Sequence, residues 1–367
     1  MNAPTASVPP PPPVTIVEVV YPAHRGAIGL RGSHEPLSWE QTLAATRVEG
    51  DRHLFELPIP PGVVLELKVV RGEEETWAGG RNYQVHAGDH LTIEPYFERS
   101  APQLVAAEQL GNLTFEVLLP PGYEEQEHKR YPVLYMLDGQ SLWSSSSDPF
   151  GVWNLEHELS QLYELGAITE LIVVGVHTAD RRIESLSPVP DDAHGGGEAE
   201  ALLAAIIDQL KPAIDERHRT LPAREHTALM GSSMGALFAF FAGMKRADVF
   251  GKIACLSSSF WWANRWAVRW AESNPLPDPR PVLYLDSGAA PSADEQDAQV
   301  KDGYNHTRSM VRALTAAGYQ PGTDLHRLVF TGARHEAAAW AARVGLPLQL
   351  LFPVEAQRPE AAEALAS

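Results

Sequence analysis

The rhythm of apolar and polar positions changes near residue 100. Between residues 14 and 97 the apolar residues fall in short runs, clearest at 17–21, 53–57, 64–70 and 91–93. Turn formers such as Pro60-Pro61-Gly62 and Gly79-Gly80 punctuate them. Short, evenly spaced strands with such turns predict a β-sandwich of about one immunoglobulin-like unit. After a change of texture over 98–112, near-continuous apolar runs follow at 113–119, 133–137, 171–176, 228–230, 252–256, 282–285 and 325–330. Helix-patterned stretches such as 199–217 and 307–317 lie between them. Apolar strands alternating with helices predict a mostly parallel sheet covered on both faces. The predicted organisation is a Pro-rich, disordered tail at 1–13, an all-β sandwich at 14–100, an α/β unit at 101–356 and a C-terminal tail at 357–367.

One motif stands at a strand-to-helix junction of the second unit. Gly231-Ser232-Ser233-Met234-Gly235 follows the apolar Thr227-Ala228-Leu229-Met230 and precedes the small, apolar run 236–243. G-x-S-x-G in that setting is a nucleophile elbow, a sharp turn that lifts a serine hydroxyl clear of the sheet. Glycines flank it because a Cβ there would collide with neighbouring backbone. Ser233 is the expected nucleophile.

A serine needs a base and an acid, which follow it in the chain in the order acid, then histidine. The last strand-like run ends in Thr331-Gly332-Ala333-Arg334-His335-Glu336, so His335 is the expected base. An imidazole suits the task because its pKa near neutrality lets it take and return the serine proton. The acid belongs after the run 282–285, where Asp286, Asp294, Glu295, Asp297 and Asp302 crowd one loop. Asp302 is favoured, with Asp294 the alternative; Asp286 adjoins the strand and is read as bracing the turn. The oxyanion hole is expected from two backbone N–H groups: that of Met234, after the nucleophile, and that of Gln140 in Leu137-Asp138-Gly139-Gln140. Gly139 is read as letting that loop turn tightly toward substrate. Trp261 and Trp262, beyond another strand, and Trp143 are candidates for lining the substrate site.

These motifs in order resemble the putative esterase family of α/β hydrolases. The resemblance rests on Tyr131-Pro132-Val133-Leu134-Tyr135-Met136-Leu137-Asp138-Gly139-Gln140, on residues 231–235, and on Gly332-x-x-His335 with Trp340 downstream. It spans roughly 113–353. It implies an α/β-hydrolase fold with Ser233 and His335 as nucleophile and base. The family includes enterochelin esterases, esterase D-type enzymes, feruloyl esterases and mycolyl transferases, so the implied chemistry is ester hydrolysis or acyl transfer. The first unit resembles starch-binding-type sandwich modules through Gly29-Leu30-Arg31-Gly32, Pro36-Leu37-Ser38-Trp39, Leu67-Lys68 and Trp77-Ala78-Gly79-Gly80-Arg81-Asn82-Tyr83. That resemblance implies sugar stacking on Trp39 and Trp77; packing of both in a small β core is the other reading. Whether the sandwich binds a ligand, covers the active site or mediates a homodimer stays open.

Composition narrows the remaining classes. The chain has 367 residues and a formal charge of −18. Nucleic acid and anionic membranes attract cationic surfaces, so neither is an expected partner. The single cysteine, Cys255, rules out a disulfide framework and reads as a small buried hydrophobe. No leader or membrane span is legible, so a cytoplasmic location is expected. Neither a metal-ligand pattern nor a phosphate loop stands out, so no metal and no cofactor is expected. The functional expectation is a serine carboxylic-ester hydrolase acting through an acyl-enzyme on a small-molecule ester, siderophore-like or aryl. An acyltransferase with the same triad, or a glycan-binding protein with an inert hydrolase domain, are the alternatives.

Overall fold

The computed structural model describes residues 14–72, 76–98, 100–178, 181–289 and 302–354. Both tails, and the candidate acids Asp294, Glu295 and Asp297, lie outside the described residues.

Strands are numbered along the chain. The first sheet runs β4 (Arg47–Glu49), β5 (Arg52–Leu57), β1 (Thr15–Val20) and β9 (His90–Ile93) in spatial order. The second runs β3 (Leu43–Ala44), β2 (Ile28–Gly32), β6 (Leu65–Arg71) and β7 (Thr76–Trp77), with β8 (Tyr83–Val85) also on β6. Alternate side chains converge between them: Val17, Val19, Phe55 and Leu57 from one sheet meet Leu30, Leu65, Leu67 and Val69 from the other. Period-2 alternation in β1, β5 and β6 is what makes this core, since successive strand residues face opposite sides. Trp39 and Trp77 are not part of it. They are 38 % and 44 % exposed, with ring centroids 6.2 Å apart.

Eight further strands form one sheet in the order β10 (Gln103–Leu110), β11 (Leu113–Leu119), β13 (Ile172–Val176), β12 (Val133–Leu137), β14 (Thr227–Ser232), β15 (Lys252–Leu256), β16 (Val282–Ala289) and β17 (Leu325–Thr331). β10 and β11 are antiparallel to their neighbours; from β13 to β17 every pair is parallel. Strands β12 and β13 are fully buried along their length, as crossover helices on both faces demand. The helix Met234–Lys245 after β14 is apolar all round and buried from Met234 to Met244, the mark of a helix enclosed in a core. Cys255 on β15 is fully buried; burial pushes its thiol up and leaves it an inert core group.

The two units meet at the edge of this sheet where the parallel strands begin. Glu125, ahead of β12, is 2 % exposed and takes the Tyr21 hydroxyl at 2.6 Å, the Phe97 N–H at 2.9 Å and the Glu98 N–H at 3.1 Å. Arg71 reaches the same carboxylate at 3.4 Å. Tyr96 packs so closely on Gly122 that a Cβ there would lie 2.5 Å from its own Cβ. A five-residue strand such as β12 spans about 16 Å, so the sandwich sits a full strand length from the opposite edge. Replacing Glu125 by alanine removes the acceptor of two part-buried N–H donors and of the Tyr21 hydroxyl, and one of the carboxylates that Arg71 faces. A loss of ~3 kcal/mol and a clear fall in melting temperature are expected, with ester turnover at 25 °C retained. An unshifted melting curve would show that Glu125 is not the latch.

Candidate active site

Ser233 occupies the turn between β14 and the helix Met234–Lys245, at φ 55° and ψ −116°. This is a strained conformation for a residue with a side chain, and such strain persists only where surroundings enforce it. Three hydrogen bonds do so: Ser233 N–H to the Leu256 carbonyl at 3.0 Å, and the Ser233 carbonyl to the N–H groups of Ser259 at 3.0 Å and Leu237 at 3.1 Å. Gly231 is obligatory here, since a Cβ would stand 2.5 Å from the Gly235 carbonyl carbon. Gly235 is less constrained, its nearest neighbour for a Cβ being Leu137 at 3.2 Å.

The structure brings Ser233, His335 and Asp302 together. Ser233 Oγ lies 2.9 Å from His335 Nε2, and His335 Nδ1 lies 2.7 Å from Asp302 Oδ1. His335 follows β17, and Trp340 packs edge-on against its ring at 5.0 Å between centroids. Asp302 is wholly buried. Its Oδ2 accepts the Ser257 hydroxyl at 2.6 Å and the Gly288 N–H. Asp286 is also wholly buried, but inside β16 rather than in the loop after it. Its carboxylate binds the Arg343 guanidinium at 3.0 and 3.1 Å, the Tyr284 hydroxyl at 3.0 Å and the Ser257 N–H at 3.0 Å. Burial pushes the Asp286 carboxyl above its usual range while Arg343 pulls it back. Arg343 also donates to Ser257 Oγ at 2.6 Å and stands 3.6 Å from Asp302. These residues form a buried, charged support behind the acid that no local sequence pattern announces.

On the other side of Ser233 lies the loop after β12. Asp138 adopts the left-handed conformation at φ 60° and opens a turn over Gly139–Ser141. Arg182 clamps its carboxylate with two bonds of 2.8 Å, and the Thr178 hydroxyl adds a third. Burial works against the Arg182 charge, yet the paired carboxylate holds the guanidinium above its ordinary value. Gly139 is needed for a different reason from the tight turn expected of it. A Cβ there would lie 2.5 Å from the Gly175 carbonyl carbon on β13, so the loop lies flat on that strand. The N–H groups of Met234 and Gln140 are taken by no acceptor among the described residues.

The three tryptophans part company. Trp143 is 1 % exposed with its indole N–H on Glu116 at 2.6 Å, and Trp262 is 1 % exposed with its N–H on the Val189 carbonyl at 2.7 Å. Both are packing residues, which corrects their candidacy for the substrate wall. Trp261 is 40 % exposed. It stands two residues beyond Ser259, whose Oγ is 3.2 Å from Ser233 Oγ, and its ring meets His194 at 5.7 Å. A groove of about 870 Å³ between the two units is lined by Arg81, Tyr83, Lys129, Glu170 and Lys252. It lies at the strand-beginning edge, away from Ser233, so the cleft between the units is not where the triad works.

Comparison with known proteins assigns the chain a family and a fold. The sequence profile of the family described as Putative esterase matches residues 108–344. The uncharacterized protein YbbA of Bacillus subtilis (strain 168) is 24 % identical over 215 residues, 57 % of this chain and 80 % of that protein. The endo-1,4-beta-xylanase/feruloyl esterase of Xylanibacter ruminicola is 27 % identical over 256 residues, 67 % of this chain but 30 % of that protein. The alignment therefore spans under a third of that larger relative. Among solved structures, the ferric enterobactin esterase of Salmonella typhimurium superposes with a TM-score of 0.51 at 15 % identity. That match covers 89 % of this chain and 88 % of the other, so the similarity in fold extends over most of both chains.

Proposed function

The chain belongs to the Putative esterase family of carboxylic ester hydrolases, and we propose that it works through an acyl-enzyme on Ser233. The observation that carries this reading is the unbroken relay from Ser233 Oγ through His335 to the buried Asp302. In it, Ser233 attacks the ester carbonyl while His335 takes its proton. The N–H groups of Met234 and Gln140 receive the oxyanion, and Asp302 steadies the imidazolium. His335 then protonates the leaving alcohol, and water activated by His335 releases the acid. Arg182 and Asp138 hold the Gln140 loop in place, since an oxyanion donor is worth most when it need not reorganise.

For the substrate we propose an aryl or siderophore-like ester. Trp261 supports this, being an exposed aromatic two residues beyond Ser259, whose hydroxyl touches the nucleophile, and a related protein is named a feruloyl esterase. Methyl ferulate and p-nitrophenyl acetate, compared on wild type and Trp261→Ala, test it. Loss of the aromatic wall should raise KM for the ferulate about fivefold and leave the acetate nearly unchanged, a stacking contribution of ~1 kcal/mol. Equal effects on both esters would remove Trp261 from substrate recognition. Adding methanol or glycerol as acceptors in the same assay separates hydrolysis from acyl transfer.

A second activity is supported by the sandwich. Trp39 and Trp77 form an exposed pair, with the Arg31 guanidinium 5.4 Å from the Trp77 ring and bonded to the Trp39 carbonyl at 2.8 Å. A rigid, paired aromatic surface of this kind suits stacking on sugar rings. Retention of the protein by soluble starch in affinity electrophoresis, lost in Trp77→Ala but kept in Ser233→Ala, is the expected result. Equal mobility with and without polysaccharide would dismiss it.

A further inference from the structure

Among the described residues, Ser259 is the one whose hydroxyl touches the Ser233 hydroxyl. It follows β15 in the run Ser257-Ser258-Ser259, and it is 2 % exposed. Its backbone N–H donates to the Ser233 carbonyl at 3.0 Å, and its Oγ lies 3.2 Å from Ser233 Oγ. Ser259 therefore grips Ser233 at both its main chain and its side chain. The direction of the hydroxyl contact follows from the proton inventory. The Asp302 carboxylate only accepts, so His335 must carry its proton on Nδ1, 2.7 Å away. His335 Nε2 is then an acceptor, and the Ser233 hydroxyl donates to it at 2.9 Å. With its one proton so committed, Ser233 Oγ can only accept from Ser259.

We propose that Ser259 is a further catalytic residue, a hydrogen-bond donor to Ser233 Oγ at the moments when that oxygen carries charge. The inference rests on Ser233 being the nucleophile. In acylation, Ser233 Oγ passes its proton to His335 Nε2 and forms a bond to the carbonyl carbon. The Ser259 donor offsets the negative charge that builds on Oγ before that bond is complete. In the acyl-enzyme the oxygen is an ester oxygen and a poor acceptor, so the contact slackens. In deacylation, water adds to the carbonyl carbon and the carbon–Oγ bond breaks. Oγ leaves with the electron pair and takes a proton from His335, and Ser259 again faces the developing charge. At 3.2 Å the resting contact is loose for two hydroxyls, and charge on the acceptor shortens such bonds. A donor that strengthens on the way to the transition state accelerates the step; one of constant strength would not.

Ser259→Ala removes one oxygen from a packed site and keeps the backbone N–H that braces the elbow. The experiment measures second-order labelling by a fluorophosphonate and the stopped-flow burst with p-nitrophenyl acetate, on wild type and Ser259→Ala. Labelling, the burst rate and the steady-state rate should each fall about tenfold to a hundredfold, the range for a lost bond to a charged group. The dissociation constant from the burst analysis and the melting temperature should stay at wild-type values. Labelling and burst rates within twofold of wild type would overturn the proposal. So would a slowdown accompanied by weaker binding or a lowered melting temperature, which is what a merely structural role gives. Failure of the premise reads differently: if the folded wild type is not labelled at all, Ser233 is not the nucleophile.

Discussion

Ser233→Ala is expected to abolish fluorophosphonate labelling and to cut p-nitrophenyl acetate turnover by about 10⁴-fold or more, the scale of losing a triad nucleophile. The loss should fall on the chemical step, and with no acyl-enzyme to accumulate KM for the residual reaction should approach the dissociation constant given by the wild-type burst. The hydroxyl makes its covalent bond only beyond the ground state, and the N–H groups of Met234 and Gln140 remain. Stability supplies a separate check. Position 233 has φ 55° and is braced by three main-chain hydrogen bonds that alanine retains. Alanine therefore keeps the strain, whereas glycine relieves it. Ser233→Gly should be as inactive as Ser233→Ala but melt above it. Turnover surviving in either variant at a tenth of wild type would place the nucleophile elsewhere.

The parts of this site that the sequence made legible are those tied to backbone geometry. A sharp elbow needs Gly231 for close approach, so the motif is written in consecutive residues. His335 is marked because a base must stand just past the last strand. Asp302 is less marked among the five acids, since nothing local distinguishes a carboxylate that folds inward. What separates it is the company it keeps, Ser257 Oγ, the Gly288 N–H and His335, drawn from three different segments. Arg343, Arg182 and Ser259 were not singled out for the same reason. Each acts on the site through partners at least 26 residues away. The run of three serines after β15 was the one available sign, because polar residues at the carboxyl end of a buried strand face the site.

The fold follows the same division. Fully buried strands such as β12 and β13 announce themselves, as does the helical stretch from 199 to 217. β10 does not: its eight residues lie at a sheet edge, and most are exposed or half-buried, so the alternation is diluted where a change of domain was read. Strands β3, β4 and β7 hold only two or three residues each, too few for a period to register. Trp39 and Trp77 show a different limit. Composition favours tryptophan in a core, and only the fold reveals that both rings face out.

Asp302→Asn is expected to cost about 10⁴-fold in kcat, ~5 kcal/mol of transition-state stabilisation. The argument turns on which end of the amide faces which neighbour. The position of Oδ2 receives the Gly288 N–H, the Ser257 hydroxyl and, at 3.6 Å, Arg343. An NH₂ group placed there would confront a fixed N–H and a cation, so the amide oxygen must take that position. The NH₂ then points at His335 Nδ1 and donates to it. His335 is driven to carry its proton on Nε2, facing Ser233, where it can no longer act as a base. Asp286→Asn gives the contrast. It touches Arg343, Tyr284 and the Ser257 N–H rather than His335, so it should lower the melting temperature by several degrees but reduce kcat only about tenfold. Steady-state kinetics and thermal melts on the two variants decide between them. Activity above a tenth of wild type in Asp302→Asn, together with a 10⁴-fold loss in Asp286→Asn, would transfer the acid's role from the residue after the loop to the one inside the strand.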